Sequence, residues 1–407
     1  MEKNKGIFEA TPVFKIFMTA LLVTFVAAAF SAFYNNYSPA FNNSFSYQTF
    51  DRAATIANAN FMSTGGNASA IKEVGGILYT YLLAGIYKIA GAGVIVAIVY
   101  LLALAAFFFT LLMFYKLGKA ILGEAYAFLA VVVFAVSTPV VLAATGGTEV
   151  WLTMLLFSLN IYFLYFEVEK NQYKGALITS GIMCLNGYFG IVFGGVSIVY
   201  TILQMNSKII KKYYLETMGW TAAVLGLMCA ALFVYIFMGN FTPETFDASA
   251  IFRNTTFYVD SFFKDGFLWS KLFPPFFTLF FYFSLFIYFA SDLKARKLGI
   301  SFYFVLLTLV ALLAEVFAMF SPNANTIYFL TPFYFVLVLL ACKGIIQLSE
   351  MMGKGKTGAL SAKTLVFAVL LFVALYNGIS AFNMSIDKNR QISSIVNESY
   401  AQKFSGR

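Results

Sequence analysis

The chain has 407 residues, of which 61% are hydrophobic, 19% aromatic and only 11% charged, with a mean hydropathy of +0.81. Soluble globular domains are about half apolar, so this composition marks an integral membrane protein. The net charge of +9 gathers as Lys and Arg in short loops, as the positive-inside rule requires, and needs no nucleic-acid partner to explain it.

Histidine is absent altogether. That excludes an imidazole base and His-based metal sites, leaving Asp and Glu as proton acceptors near neutral pH. The recurring apolar stretches approach or exceed the roughly 20 residues a spanning helix needs, where an outer-membrane barrel would show short alternating segments. The expected fold is therefore all-α and polytopic.

In chain order, Lys3 and Lys5 precede an apolar run from Phe14 to Phe33, too long for a signal-peptide core and taken as a retained first span with its N-terminus inside. Phe41 to Gly91 follows as a polar outer segment holding Asp51, Arg52, Lys72 and Glu73. Val94 to Tyr115 returns inside to Lys116 and Lys119, and Ala125 to Leu142 leads out to the turn Ala144–Glu149. Val150 to Phe166 comes back in.

The next apolar stretch, Gly175 to Leu203, has the length of one span. Basic inner loops on either side demand an even number of crossings, so the expectation is two short helices turning outside near Asn186-Gly-Tyr-Phe-Gly190, where Asn-Gly is a strong turn signal. Thr217 to Met238 leads to a second outer loop, Gly239 to Lys271, with Glu244, Asp247, Arg253, Asp260, Lys264 and Asp265. Phe273 to Ala290, Ile300 to Phe320, Tyr328 to Ile346 and Thr364 to Phe382 complete about eleven spans. This describes one transmembrane unit over 1–384, with outer loops at about 34–91 and 239–271 and a short outer tail at 385–407. Cys184, Cys229 and Cys342 lie in apolar runs without motif spacing and are expected to pack.

Three outer features bear on chemistry. Asp51 sits where a carboxylate can meet a lumen between helices at the membrane surface, although a solvated loop acid has the same spacing. Sugar transfer from a lipid phosphate needs a base for the acceptor's proton and cations for the departing phosphate. Lys72 opens Lys-Glu-Val-Gly-Gly-Ile-Leu-Tyr79, in which Gly75 and Gly76 let backbone amides approach an anion and the lysine acts as a point charge. A headgroup-anchoring lysine explains it equally well. Glu149 follows a Gly-Gly turn at the mouth of a span, where a helix dipole favours an acid, and Thr148 is an alternative cap. Glu315 interrupts an apolar span near its outer end, facing either the active-site cavity or a structural hydrogen bond. Asn240-Phe-Thr and Asn254-Thr-Thr read as glycan acceptors only in a glycosylating lumen.

Taken together, Asp51 after the first span, Lys72 before Gly75-Gly76-Ile-Leu-Tyr79, and Gly146-Gly-Thr-Glu149 opening the next inward span resemble the GT-C glycosyltransferases of family 39, related to the dolichyl-phosphate-mannose protein mannosyltransferases. The likeness covers about Phe14 to Leu203. It implies a GT-C-like fold with short surface helices in the first outer loop, an active site on the outer face, and a polyprenyl-phosphate-linked sugar donor. It further implies inversion at the anomeric carbon and a glycan, lipid or protein acceptor. On this resemblance Asp51 is the base or the acid that positions the acceptor; Glu149 is taken as a second catalytic acid, and Arg52, Lys72, Glu73, Tyr79 and, outside the stretch of likeness, Arg253 and Glu315 are the candidate substrate-binding residues.

The chain departs from that family in three places. Arg52 stands where many relatives have a second acid, which weakens the case for a divalent cation, and no metal ligands are assigned. The proline near the glycines is missing. The turn Ser321–Pro332 resembles the family's Arg-Tyr and proline segment without its arginine, so the donor phosphate falls to Lys72, Arg52 and Arg253. Three other classes fit the spans. A transporter or flippase would place acids nearer mid-membrane, a polysaccharide polymerase or ligase would carry a large outer loop rich in Arg or His, and a non-catalytic assembly subunit would need neither.

Overall fold

The computed structural model describes residues 10–35, 77–90, 92–145, 150–167, 173–186, 188–207, 214–237, 275–319, 331–352, 363–379 and 381. Among them every regular element is an α-helix. These are α1 (Ala10–Asn35), α2 (Ile77–Ala90), α3 (Ala92–Leu122), α4 (Glu124–Ala135), α5 (Thr138–Thr145), α6 (Val150–Phe166), α7 (Lys174–Cys184), α8 (Tyr188–Ser207), α9 (Tyr214–Phe237), α10 (Pro275–Lys294), α11 (Ile300–Met319) and α12 (Thr331–Met352), followed by α13 (Lys363–Ile379). Three carry stretches long and apolar enough to cross a membrane, at Leu101–Leu122, Phe277–Lys294 and Pro332–Met351. The all-α expectation holds: the described part of each predicted span is helical, apart from breaks inside Ala125–Leu142 and Gly175–Leu203.

Four differences are instructive. The polar segment expected from Phe41 to Gly91 ends in a helix, α2, whose Tyr79, Leu83 and Ala84 are buried against Val99, Ala103 and Ala106 of α3 and Trp151 of α6. Helix α3 continues past Lys116 and Lys119 to Leu122, where Gly123 adopts a φ of 89° to turn the chain into α4. The run Ala125–Leu142 is not one span. It breaks at Val136–Ser137 between α4 and α5, because Pro139 has no amide to donate to the Ala135 carbonyl and its ring would clash with that carbonyl in a continuous helix. The amides of Val140 and Val141 bond the Ser137 carbonyl instead, starting α5 afresh.

The fourth concerns Gly175 to Leu203, which does divide at the Asn-Gly turn. Helices α7 and α8 double back on each other, since a Cβ at Gly194 would stand 2.7 Å from both Cys184 Sγ and the Ser180 carbonyl oxygen. Helix α7 has 11 residues, about 16 Å of helix, roughly half the hydrocarbon thickness. The turn is not an open loop either, because Asn186 is only 2% exposed.

Helix α12 is the centre of the bundle. Its residues Phe333 to Cys342 are each 1% exposed or less, as a helix apolar on all sides requires. Phe335 meets Phe114 of α3 and Phe134 of α4 edge-on at 5.0 and 5.6 Å, while those two rings stack at 4.6 Å. Cys184 and Cys342 are buried, in keeping with a packing role, whereas Cys229 is exposed, and none forms a disulfide.

A polar lock joins α6 to α7. Asn160 Nδ2 donates to the Ala176 carbonyl at 2.9 Å, Thr179 Oγ1 at 3.0 Å and Ser180 Oγ at 2.9 Å, in a site with no exposure. Asn160→Ala removes these buried bonds and opens a small void, while the acceptors keep partners within α7, so it should cost about 1–3 kcal/mol. Thermal unfolding in detergent checks this, and an unchanged midpoint would deny the lock any role.

Candidate functional site

Three helix ends that are remote in sequence meet at one place. Helix α2 begins at Ile77, immediately after Gly75-Gly76; α6 begins at Val150, immediately after Glu149; and α7 gives way to α8 around Asn186. The Leu78 amide donates to the Leu185 carbonyl at 3.0 Å, capping the end of α7 with a group that the first turn of α2 leaves free. Asn186 Nδ2 donates to Thr153 Oγ1 of α6 at 2.6 Å. The Tyr79 ring meets Trp151 edge-on, with centroids 5.7 Å apart and planes at 83°.

This junction is dry, for Tyr79 has no exposure and Trp151 only 3%. Yet the indole Nε1–H of Trp151 meets no acceptor among the described residues. A buried donor left in that state is costly, and an oxygen atom brought by a ligand would relieve it. The amino ends of α2, α6 and α8 all open here, each with N–H groups free of intrahelical partners and the positive end of a helix dipole. Chemically the place suits an anion.

Of the residues selected from sequence, Tyr79 lies in the junction with its ring buried, and Glu315 stands on α11, four residues before its end at Met319. Asp51, Arg52, Lys72, Glu73, Glu149 and Arg253 lie outside the described residues. Among the described residues no group of three His, Cys, Asp or Glu side chains is placed to hold a metal.

Sequence reasoning passed over Trp151, Thr153 and Asn186. Thr153 and Asn186 are polar residues inside apolar runs, a signal that was available. Trp151 looked like one more apolar residue, and its missing partner is visible only in three dimensions.

Fold and junction together define an all-helical protein with membrane-length apolar helices and a buried junction where helix ends gather. The sequence matches no known family profile and no curated protein. Among solved structures the chain is similar to ArnT from Cupriavidus metallidurans bound to undecaprenyl phosphate, at 13% identity and a TM-score of 0.49, over 98% of this chain and 79% of that one. It is also similar to ArnT from the same organism in the apo state, at 15% identity and a TM-score of 0.48, over 95% and 76%.

Proposed function

We propose that the protein is a GT-C-type glycosyltransferase that moves a sugar from a polyprenyl-phosphate donor to a cell-envelope or secretory acceptor at the outer membrane face, with inversion. The observation that carries this reading is the convergence of the starts of α2 and α6 on one dry junction, because two of the three motifs of the family resemblance, Lys72–Tyr79 and Gly146–Glu149, run straight into those starts. Glu149 is the residue next to Val150. Lys72 precedes Ile77 by five residues, a covalent reach of at most about 18 Å.

In the proposed reaction Asp51 takes the proton from the acceptor hydroxyl as that oxygen attacks the anomeric carbon, and the carbon–oxygen bond to the lipid phosphate breaks. Lys72, Arg52 and Arg253 receive the departing phosphate, whose charge the helix amino ends also favour. Glu149, Glu73, Tyr79 and Glu315 orient sugar and acceptor. The N-terminus lies on the cytoplasmic side.

Trp151→Phe tests the junction itself. It keeps an aromatic ring against Tyr79 and removes only the N–H, so KM for the donor should rise about tenfold, the scale of one hydrogen bond to a charged group. Turnover at saturation and thermal stability should stay near wild type. An unaltered KM would remove the indole from donor binding.

The function as a whole is tested by mass analysis of envelope lipids and glycans with and without the protein. Loss of one glycan modification with accumulation of its polyprenyl-phosphate sugar supports transfer. Intact glycans with lipid-linked sugar trapped on the inner side favour a flippase instead.

A further inference from the structure

We propose that the cleft between α10, α12 and α13 is a binding site for an anionic phospholipid, with one acyl chain in the cleft and the headgroup at Lys363. The cleft has a volume of about 380 Å³, within the range of ligand sites. Phe280 forms one wall, Ile345 and Leu348 the second, and Val366, Val369 and Phe372 the third. Its floor is fixed by the close approach of α10 to α12, where a side chain at Gly344 would overlap the Phe280 carbonyl.

Nothing polar inside the cleft is available to a ligand's head. Ser349, the hydroxyl residue of the lining, already donates to the Ile346 carbonyl at 2.8 Å. The outward side is apolar too, with Phe372 55% and Leu365 49% exposed, so the cleft takes a hydrocarbon chain rather than a sugar.

Charge at one end decides which lipid. The cleft follows the last turns of α12 and the first turns of α13, and the sequence joining them, Met351 to Lys363, contains Lys354, Lys356 and Lys363 and no acid. Lys363 is the first residue of α13 and is exposed, two positions before the lining residue Leu365. Glu350, exposed near the end of α12, sets one negative charge against these lysines. A lysine at the end of an interhelical apolar groove selects anionic headgroups in the adjoining leaflet. By the positive-inside assignment that leaflet is the inner one, opposite the face proposed for sugar transfer, so the site is separate from the donor's phosphate.

The test extracts the full-length protein from bilayers of equal phosphatidylglycerol and phosphatidylcholine and measures retained lipid by native mass spectrometry. Wild type should keep phosphatidylglycerol over phosphatidylcholine by about fivefold, the scale of one lysine's attraction. Lys363→Glu replaces that attraction by repulsion and should turn the ratio over, to about fivefold in favour of phosphatidylcholine. Ala368→Trp, at an exposed position lining the cleft, should empty it, whereas Leu22→Trp, on the exposed face of α1, should leave retention unchanged. Equal retention of both lipids by wild type, or retention untouched by Ala368→Trp, overturns the site. A polyprenyl phosphate lost with Ala368→Trp but indifferent to Lys363→Glu also overturns it, by assigning the cleft to the donor's chain.

Discussion

Asp51→Asn should reduce sugar transfer by about 10²–10⁴-fold, the usual worth of a positioned general base, while the protein still folds and inserts. The carboxamide matches the carboxylate in shape but cannot accept the acceptor's proton. No histidine exists anywhere in the chain to take over. The loss should fall on kcat, since the base acts in the transition state, whereas Lys72→Met should act mainly on the donor's KM. Initial rates in proteoliposomes separate the two effects. Wild-type turnover in the asparagine variant would remove Asp51 from the mechanism.

Gly190→Ala should cost about 3 kcal/mol, which for a chain of this length lowers the unfolding midpoint by roughly 3–4 °C, and should disable the junction with it. A methyl group at Gly190 of α8 would overlap the Met183 carbonyl oxygen of α7. Backbone is the obstacle there, so no rotamer change can relieve it and the two helices must part. Parting them shifts Leu185 and Asn186, which hold the starts of α2 and α6 in place. Stability and transfer should therefore fall together. Gly226→Ala on α9 is the matched control, because nothing lies within 4 Å of its added carbon, and it should be neutral or slightly stabilising. Equal midpoints for the two variants would mean that the close approach of α7 and α8 contributes nothing.

The helices were legible because hydrocarbon thickness forces long apolar runs and charge marks their ends. The Asn186-Gly187 turn was legible for a local reason, the backbone preference of that pair. The break at Pro139 was equally local, yet hydropathy averaged over the run conceals it. Helix α2 was missed because its amphipathic sequence follows a polar stretch directly. Only the fold shows that Tyr79, Leu83 and Ala84 share a buried face with Trp151.

The candidate site divides in the same way. Glu149 and Lys72 attract attention as charges in an apolar chain, whereas the meeting of α2, α6 and the α7–α8 turn leaves no mark in the sequence. Contacts such as Leu78 to Leu185 and Thr153 to Asn186 join positions over a hundred and over thirty residues apart, and no window along the sequence contains them.

The most direct measurement follows a labelled sugar in sealed vesicles that hold the purified protein, a polyprenyl-phosphate-linked donor and acceptor from the envelope. The proposed chemistry predicts that label leaves the lipid and appears covalently on the acceptor, with one polyprenyl phosphate freed for each sugar moved and almost none of either with Asp51→Asn. Label that stays on its lipid while crossing from one leaflet to the other, at equal rates in wild type and variant, would contradict it.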